Sequence, residues 1–320
     1  AKNKVGPLFK NILEITPNLS QICELKFFLV NDNCPDDSYS EVPESNLINI
    51  IHNDENLGVG GSSIVGFQEA LRYGYEIFIK MDADCQHPPD YLLELIPYLL
   101  TLSKNELYLV KGTRYHFPIY NENIPFDRKI GSYLLEPMAR MSLIYKGLTD
   151  VANGFLSINK ITLKYLLSNK FKTKIELRYL FECSIIKRCS TLRVNIHQFP
   201  MQSIYGDKWS SSMNSRKMVF PLLRFWILSL IKEIFYKYLF RLNLGTFFLL
   251  SSAINFLISF LYLFINILPK INSNIFVTAG NASIFSATLV LSILLLSLFI
   301  LYDYSMKKSV KIVFFDKFSE

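Results

Sequence analysis

Two long stretches of this sequence carry no charge at all. Leu244–Leu268 and Val277–Tyr302 contain neither acid nor base, and each exceeds the ~20 apolar residues needed to cross hydrocarbon. Burial as a pair of core helices is the competing reading, but a soluble helix keeps one polar face. Other absences narrow the field. The five cysteines (Cys23, Cys34, Cys85, Cys183, Cys189) are odd in number and make no C-x-x-C pair. That excludes a disulfide framework and a cysteine zinc site, and points to a reducing compartment. The four histidines show no ligand spacing; His87 reads as a turn residue. The chain begins "AKNKVGPLFKNI", without Met and without a charged and apolar leader, so no signal peptide is visible and a fragment is admitted.

Charge is present, but unevenly. Residues 1–150 hold 13 Lys/Arg against 20 Asp/Glu, and residues 151–320 hold 21 against 7. A basic half must meet something anionic. Its cations are interleaved with apolar residues in "RKMVFPLLRFWILSLIKEIFYKYLFR", which suits helices lying in a membrane interface and argues against nucleic acid. Lys232, Lys237 and Arg241 precede the first uncharged run, Lys307, Lys308 and Lys311 follow the second, and only Lys270 lies between. By the positive-inside rule both flanks face the cytoplasm.

The first half alternates strands and helices. Residues 7–22 read as a helix, "ELKFFLVNDN" as a strand from Lys26 to Val30, and "NLINIIHND" as another. "ENLGVGGSSIVGFQEALRYG" is a glycine-rich turn entering a helix, and "EIFIK" is a third strand, with a helix at Tyr91–Leu100 after it. Such spacing predicts an α/β layer fold with a largely parallel sheet, whose ligands bind beyond the carboxyl ends of the strands. Asp32, Asp82 and Asp84 all fall at such ends. Residues 1–205 are expected to form the catalytic domain and 206–242 juxtamembrane amphipathic helices. A two-helix transmembrane hairpin over 243–304 and a basic tail over 305–320 complete the expected division.

The third strand delivers two carboxylates one residue apart, in "KMDADCQHPP". Spaced i, i+2 where the chain turns, both reach one hard cation such as Mg²⁺ or Mn²⁺, which offsets their repulsion and leaves positions for phosphate oxygens. A departing diphosphate needs such help. Gln86 adds a neutral oxygen.

The run "NLGVGGSSIVGFQEALRYGYEIFIKMDADCQHPPDYL" resembles inverting family-2 glycosyltransferases of GT-A fold, most closely the polyprenyl-phosphate sugar transferases related to dolichyl-phosphate mannose synthase. The resemblance covers about residues 25–240. It implies Asp82, Asp84 and Gln86 as metal ligands and a UDP- or GDP-sugar donor contacted by Asp32, Asn56, Gly58, Asp82 and Arg114. It further implies an acceptor region at "FDRKIGSYLLEPMARM" and "LTDVANGFLSINK", where Arg128, Asn153 and Gly154 bind the acceptor and Asp150 is base or orienting group. The implied acceptor is a lipid phosphate or lipid-linked saccharide; homo-oligomerisation stays open. The family's opening strand, with its proline–x–tyrosine–asparagine–glutamate loop, has no counterpart. Tyr205, in "QFPMQSIYGDKWSSSM", stands where polyprenyl-phosphate enzymes carry an arginine; Lys208 stands where polysaccharide-assembly transferases carry an acid. Glu182 matches a family glutamate without an assigned role.

Four other readings compete. A dinucleotide fingerprint fails because Ser63 replaces its third glycine. A processive polysaccharide synthase would need a glutamine–x–x–arginine–tryptophan element, which Trp209 and Trp226 do not provide. An inactive membrane partner subunit of the same fold, or a transferase acting on a soluble polysaccharide, would share the motifs.

Overall fold

The computed structural model describes residues 4–116, 124–168, 174–204 and 215–314. They divide into two compact units, one of residues 1–225 with 309–320, the other of residues 226–308.

The first unit opens with α1 (Val5–Ser20), which buries Val5, Leu8, Phe9, Ile12, Thr16 and Leu19 at spacings of three and four, one apolar stripe of a helix. Strands β1 (Phe27–Asn31) and β2 (Ile48–His52) pair in parallel, with Phe27 opposite Ile48. Between β2 and the strand β3 (Ile77–Lys80) runs α2 (Gly58–Arg72). Then come α3 (Leu92–Thr101), β4 (Tyr108–Thr113), α4 (Phe126–Ser142), β5 (Tyr145–Lys146), β6 (Leu156–Asn159), α5 (Lys160–Leu167), α6 (Phe181–Leu192) and β7 (Asn195–Pro200). Far along the chain follow β8 (Lys308–Ser309) and β9 (Lys311–Ile312).

The main sheet has the order β3-β6-β4-β7-β9. In it β6 runs antiparallel to both β3 and β4, while β4–β7 and β7–β9 are parallel. Four of the five strands thus run the same way, the largely parallel α/β sheet that the alternation of elements predicts, with β6 reversed among them. Its core holds Leu95, Leu99, Tyr108, Val110, Phe155 and Phe199, all fully or almost fully buried. Truncating one of these leucines to Ala should cost about 2–5 kcal/mol.

Strands β1 and β2 form a sheet of their own, so among the described residues no pairing joins β1 to β3. A cleft of about 400 Å³ is lined by β1, β3 and α1, apolar along Phe28, Val30, Ile77 and Ile79, with Asp32 and Asp82 also on its wall.

In the second unit, α7 (Ser215–Ile234), which enters from the first, leads into a π-helical turn, Phe235–Leu239. Next comes α8 (Leu244–Tyr262), extended by a second π-helical turn and α9 (Leu268–Asn272), then α10 (Ala279–Ser305). The stretches Leu244–Asn272 and Ala279–Ser305 are long and apolar enough to cross a membrane, with mean hydropathy 2.1 and 2.7. Only 11% of the residues in an 18-residue apolar window of each are buried, unlike a core helix of a soluble protein. Ser252 and Ser292 join α8 to α10 reciprocally, each hydroxyl donating to the other's carbonyl at 2.9 and 3.0 Å. Such polar pairs between small residues let two apolar helices approach closely. At the end of α10 Asp303 receives Lys237 at 2.6 Å and Lys307 at 3.0 Å.

Candidate active site

Asp32 follows β1, and its carboxylate closes the amino end of α2. Oδ1 accepts from the Leu57 N–H and Oδ2 from the Gly58 N–H, both at 2.8 Å, and Asn53 donates to Oδ1 at 3.0 Å. Burial alone would raise this carboxyl; Asn53, the two backbone donors and Ser62 outweigh it and hold it below the usual range. Asn56 donates its side-chain amide to the Asp32 carbonyl at 3.2 Å. Two further donors of α2, Gly60 and Gly61, both give to the Leu177 carbonyl, at 2.9 and 3.1 Å. These glycines therefore do not cradle a phosphate. A Cβ on Gly60 would lie 2.7 Å from the Glu176 oxygen and from the Phe181 ring, so the glycine is there to admit a neighbouring loop. Gly58 has φ +78°, the left-handed region that favours glycine. The dinucleotide reading loses its physical basis here, since the helix terminus is already filled.

The acidic loop leaves β3 at Asp82. Lys80, the last residue of the strand, is buried and reaches Asp82 Oδ1 at 2.6 Å, Glu182 Oε1 at 3.1 Å and the Gly154 carbonyl at 3.2 Å. Burial disfavours the Lys80 ammonium, yet Asp82 and Glu182 more than offset this and raise its pKa. Burial likewise pushes the Asp82 carboxyl up, and the Lys80 charge reverses it, to about 2. Asp84 Oδ1 accepts from the Gln86 N–H at 3.0 Å, which shapes the turn. Gln86 and His87 are buried, and the His87 ring stacks edge-on against Phe155 at 5.4 Å. Burial lowers the His87 pKa against the pull of Asp82 and Asp84, keeping the ring neutral near pH 7.

Asp150 sits on the turn before β6 with φ 50°. Its carboxylate is clamped by Arg114: Nε donates to Oδ2 at 2.8 Å, Nη2 to Oδ1 at 2.7 Å, and the Arg114 N–H to Oδ2 at 3.0 Å. Asn153 adds its amide at 3.2 Å. Burial raises this carboxyl, but Arg114 outweighs it and leaves it below the usual range. The Asp150 N–H donates to Glu136 at 2.9 Å. Buried Lys111 donates to the carbonyls of Asp150 and Asn153 at 2.7 and 3.2 Å. Burial brings its pKa down to about 8, against the opposing charges of Asp150 and Glu182.

Two of the expected groups thus meet. Gly154 lies so close to the acidic loop that a Cβ there would fall 2.3 Å from Asp82 Oδ2. Asp32 lines the same cleft as Asp82. Arg128 falls on α4, but its side chain lies outside the described ones, as do Tyr205, Lys208 and Trp209 altogether. Sequence reasoning missed Lys80, Lys111 and Glu136 and left Glu182 without a role. The signal available for Lys80 was its place two residues after buried Phe78, on the same face of the strand.

Among the described residues no three His, Cys, Asp or Glu side chains converge as a metal cage. The donor chemistry still fits a hard cation shared with ligand oxygens. Asp82 and Asp84 lie on one turn, and each carboxylate oxygen carries more lone pairs than the protein bonds found here consume.

The family model described as Glycosyl transferase family 2 matches residues 5–166. A UDP-N-acetylglucosamine–dolichyl-phosphate N-acetylglucosaminyltransferase of Methanococcus voltae is 32% identical over 159 residues, 49% of this chain and 59% of that protein. A dolichol-phosphate mannosyltransferase of Pyrococcus furiosus is 28% identical, over 51% of this chain and 50% of its own length. An undecaprenyl-phosphate mannosyltransferase of Micrococcus luteus is 26% identical, over 60% and 76%. The chain thus spans between half and three fifths of the first two relatives.

Proposed function

This chain belongs to glycosyl transferase family 2, and from that premise we propose that it moves a sugar from a nucleotide-diphosphate donor to a polyprenyl phosphate at the cytoplasmic face of a membrane, with inversion at the anomeric carbon. The observation that carries the reading is the contact of Gly154 with Asp82, which puts the loop expected to meet the acceptor against the loop expected to hold the diphosphate. Two of the three relatives' names give mannose and one N-acetylglucosamine, while all three name a polyprenyl phosphate. The proposed division of labour gives residues 1–205 the chemistry, 206–242 the interface, 243–304 the anchor and 305–320 a cytoplasmic tail.

In this scheme Asp32, Asn56 and Gly58 border the nucleoside, while Asp82, Asp84 and Gln86 would hold Mg²⁺ or Mn²⁺ at the diphosphate. Such an ion supplies neutralising charge where the leaving group becomes more negative. The acceptor oxygen forms its bond to the anomeric carbon as the bond to the diphosphate oxygen breaks on the opposite face. An acceptor phosphate is already anionic and needs no base. Asp150, clamped by Arg114 and held below the usual carboxylate range, is a poor one. Its role here is to fix Arg114, with Asn153 and Gly154 shaping the acceptor loop.

Calorimetry of the full chain with a panel of UDP- and GDP-sugars tests this. One donor should bind only when Mn²⁺ is present, and Asp84→Ala should abolish that binding. A silent panel would overturn the enzyme reading in favour of an inactive partner subunit.

A further inference from the structure

Lys80 and Glu182 lie behind the acidic loop, and the geometry gives them work there. Lys80 is 7% exposed and the Glu182 side chain 8%, whereas the Asp82 side chain remains 35% exposed. Three charges therefore run from the interior outward, Glu182 to Lys80 to Asp82, over contacts of 3.1 and 2.6 Å. A buried ammonium without partners is strongly disfavoured. One acid would satisfy it; here it has two, so these three groups sum to one net negative charge, and among them Asp82 is the exposed end, with Lys111 within electrostatic reach of Glu182 and Arg114 of Asp82. Glu182 is set in the first turn of α6, where the helix dipole favours a carboxylate. Lys80 also holds the Gly154 carbonyl at 3.2 Å, so a single ammonium ties the acidic loop to the acceptor loop.

We propose that Lys80 and Glu182 are positioning residues that set both the aim of Asp82 and its affinity for a divalent cation. Lys80 fixes one carboxylate oxygen and tempers the affinity; Glu182, by drawing on the same ammonium, restores part of it. The proposal rests on the reading of Asp82 and Asp84 as cation ligands. A mere packing role would weaken the site whichever member were changed. The ladder instead requires opposite effects, because the two residues carry opposite charge behind the same carboxylate.

Mn²⁺ titration followed by electron paramagnetic resonance, on the full chain in lipid nanodiscs without donor, separates these. Lys80→Met should tighten Mn²⁺ binding about tenfold, and Glu182→Gln should weaken it about tenfold, the order expected for one partly screened charge at this range. Lys80→Arg, which keeps the charge, should stay within about threefold of the parent. Shifts of the same sign in the first two variants, or no shift, would overturn the proposal. Should Lys80→Met fail to fold, the other two decide: Glu182→Gln weaker with Lys80→Arg unchanged supports it, and any other pair of results overturns it. If the parent chain itself shows no Asp84-dependent Mn²⁺ binding, the cation reading falls and this inference with it.

Discussion

Asp150 shows how a motif and its surroundings can assign different chemistry to one carboxylate. Its place before Asn153 and Gly154 marks it as base or orienting group, and the bidentate Arg114 clamp favours the second. Because its folded pKa lies below the unfolded one, the native state binds fewer protons there, and the stabilisation is fully present only above about pH 5. It is lost as pH falls through the folded value. The melting temperature of the parent should therefore drop faster between about pH 5 and pH 3 than that of Asp150→Asn. At pH 7 the variant should be the less stable by about 3–5 kcal/mol, having left Arg114 without its anion. Equal slopes in the acid limb would contradict the clamp. At this scale the sequence was partly legible. Asp82 and Asp84 announce themselves because two acids one residue apart at the end of an apolar strand stand out whatever the rest of the fold does. Lys80 and Lys111 do not, since a lysine in a strand ordinarily points to water, and their partners Glu182, Asp150 and Asn153 come from distant parts of the chain.

At the scale of elements, α2 and the loop before α6 depend on each other. The pattern of Gly58, Gly60 and Gly61 reads from sequence as a helix start, and that is where α2 begins. What fills the start was not readable, because Leu177 and Glu176 lie far along the chain. Gly60→Ala should destabilise the protein by about 1–3 kcal/mol in denaturant unfolding, as overpacking against backbone does. Gly131→Ala, in α4 with nothing within 4 Å of the added carbon, should instead be neutral or stabilise by up to about 1 kcal/mol. Equal effects would mean that the loop before α6 does not press on α2. The two apolar helices needed no such distant information, since length and hydropathy alone identify them.

For the whole molecule, the sequence carries the class of architecture and the split in charge, but not the order of strands. That β6 inserts antiparallel between β3 and β4 follows from pairings that no local pattern encodes. The separation of β1 and β2 from the main sheet is likewise visible only in three dimensions. The basic flanks of the apolar helices support an orientation with the transferase unit in the cytoplasm. The most direct test of the account is transfer itself. The full chain in vesicles containing polyprenyl phosphate is incubated with labelled UDP- and GDP-sugars and Mn²⁺, and the label is followed into the organic phase. The account expects one donor to yield a labelled polyprenyl-phosphate sugar of inverted anomeric configuration, and Asp84→Ala to yield none. Absence of lipid label with every donor, or label that persists in Asp84→Ala, would contradict it.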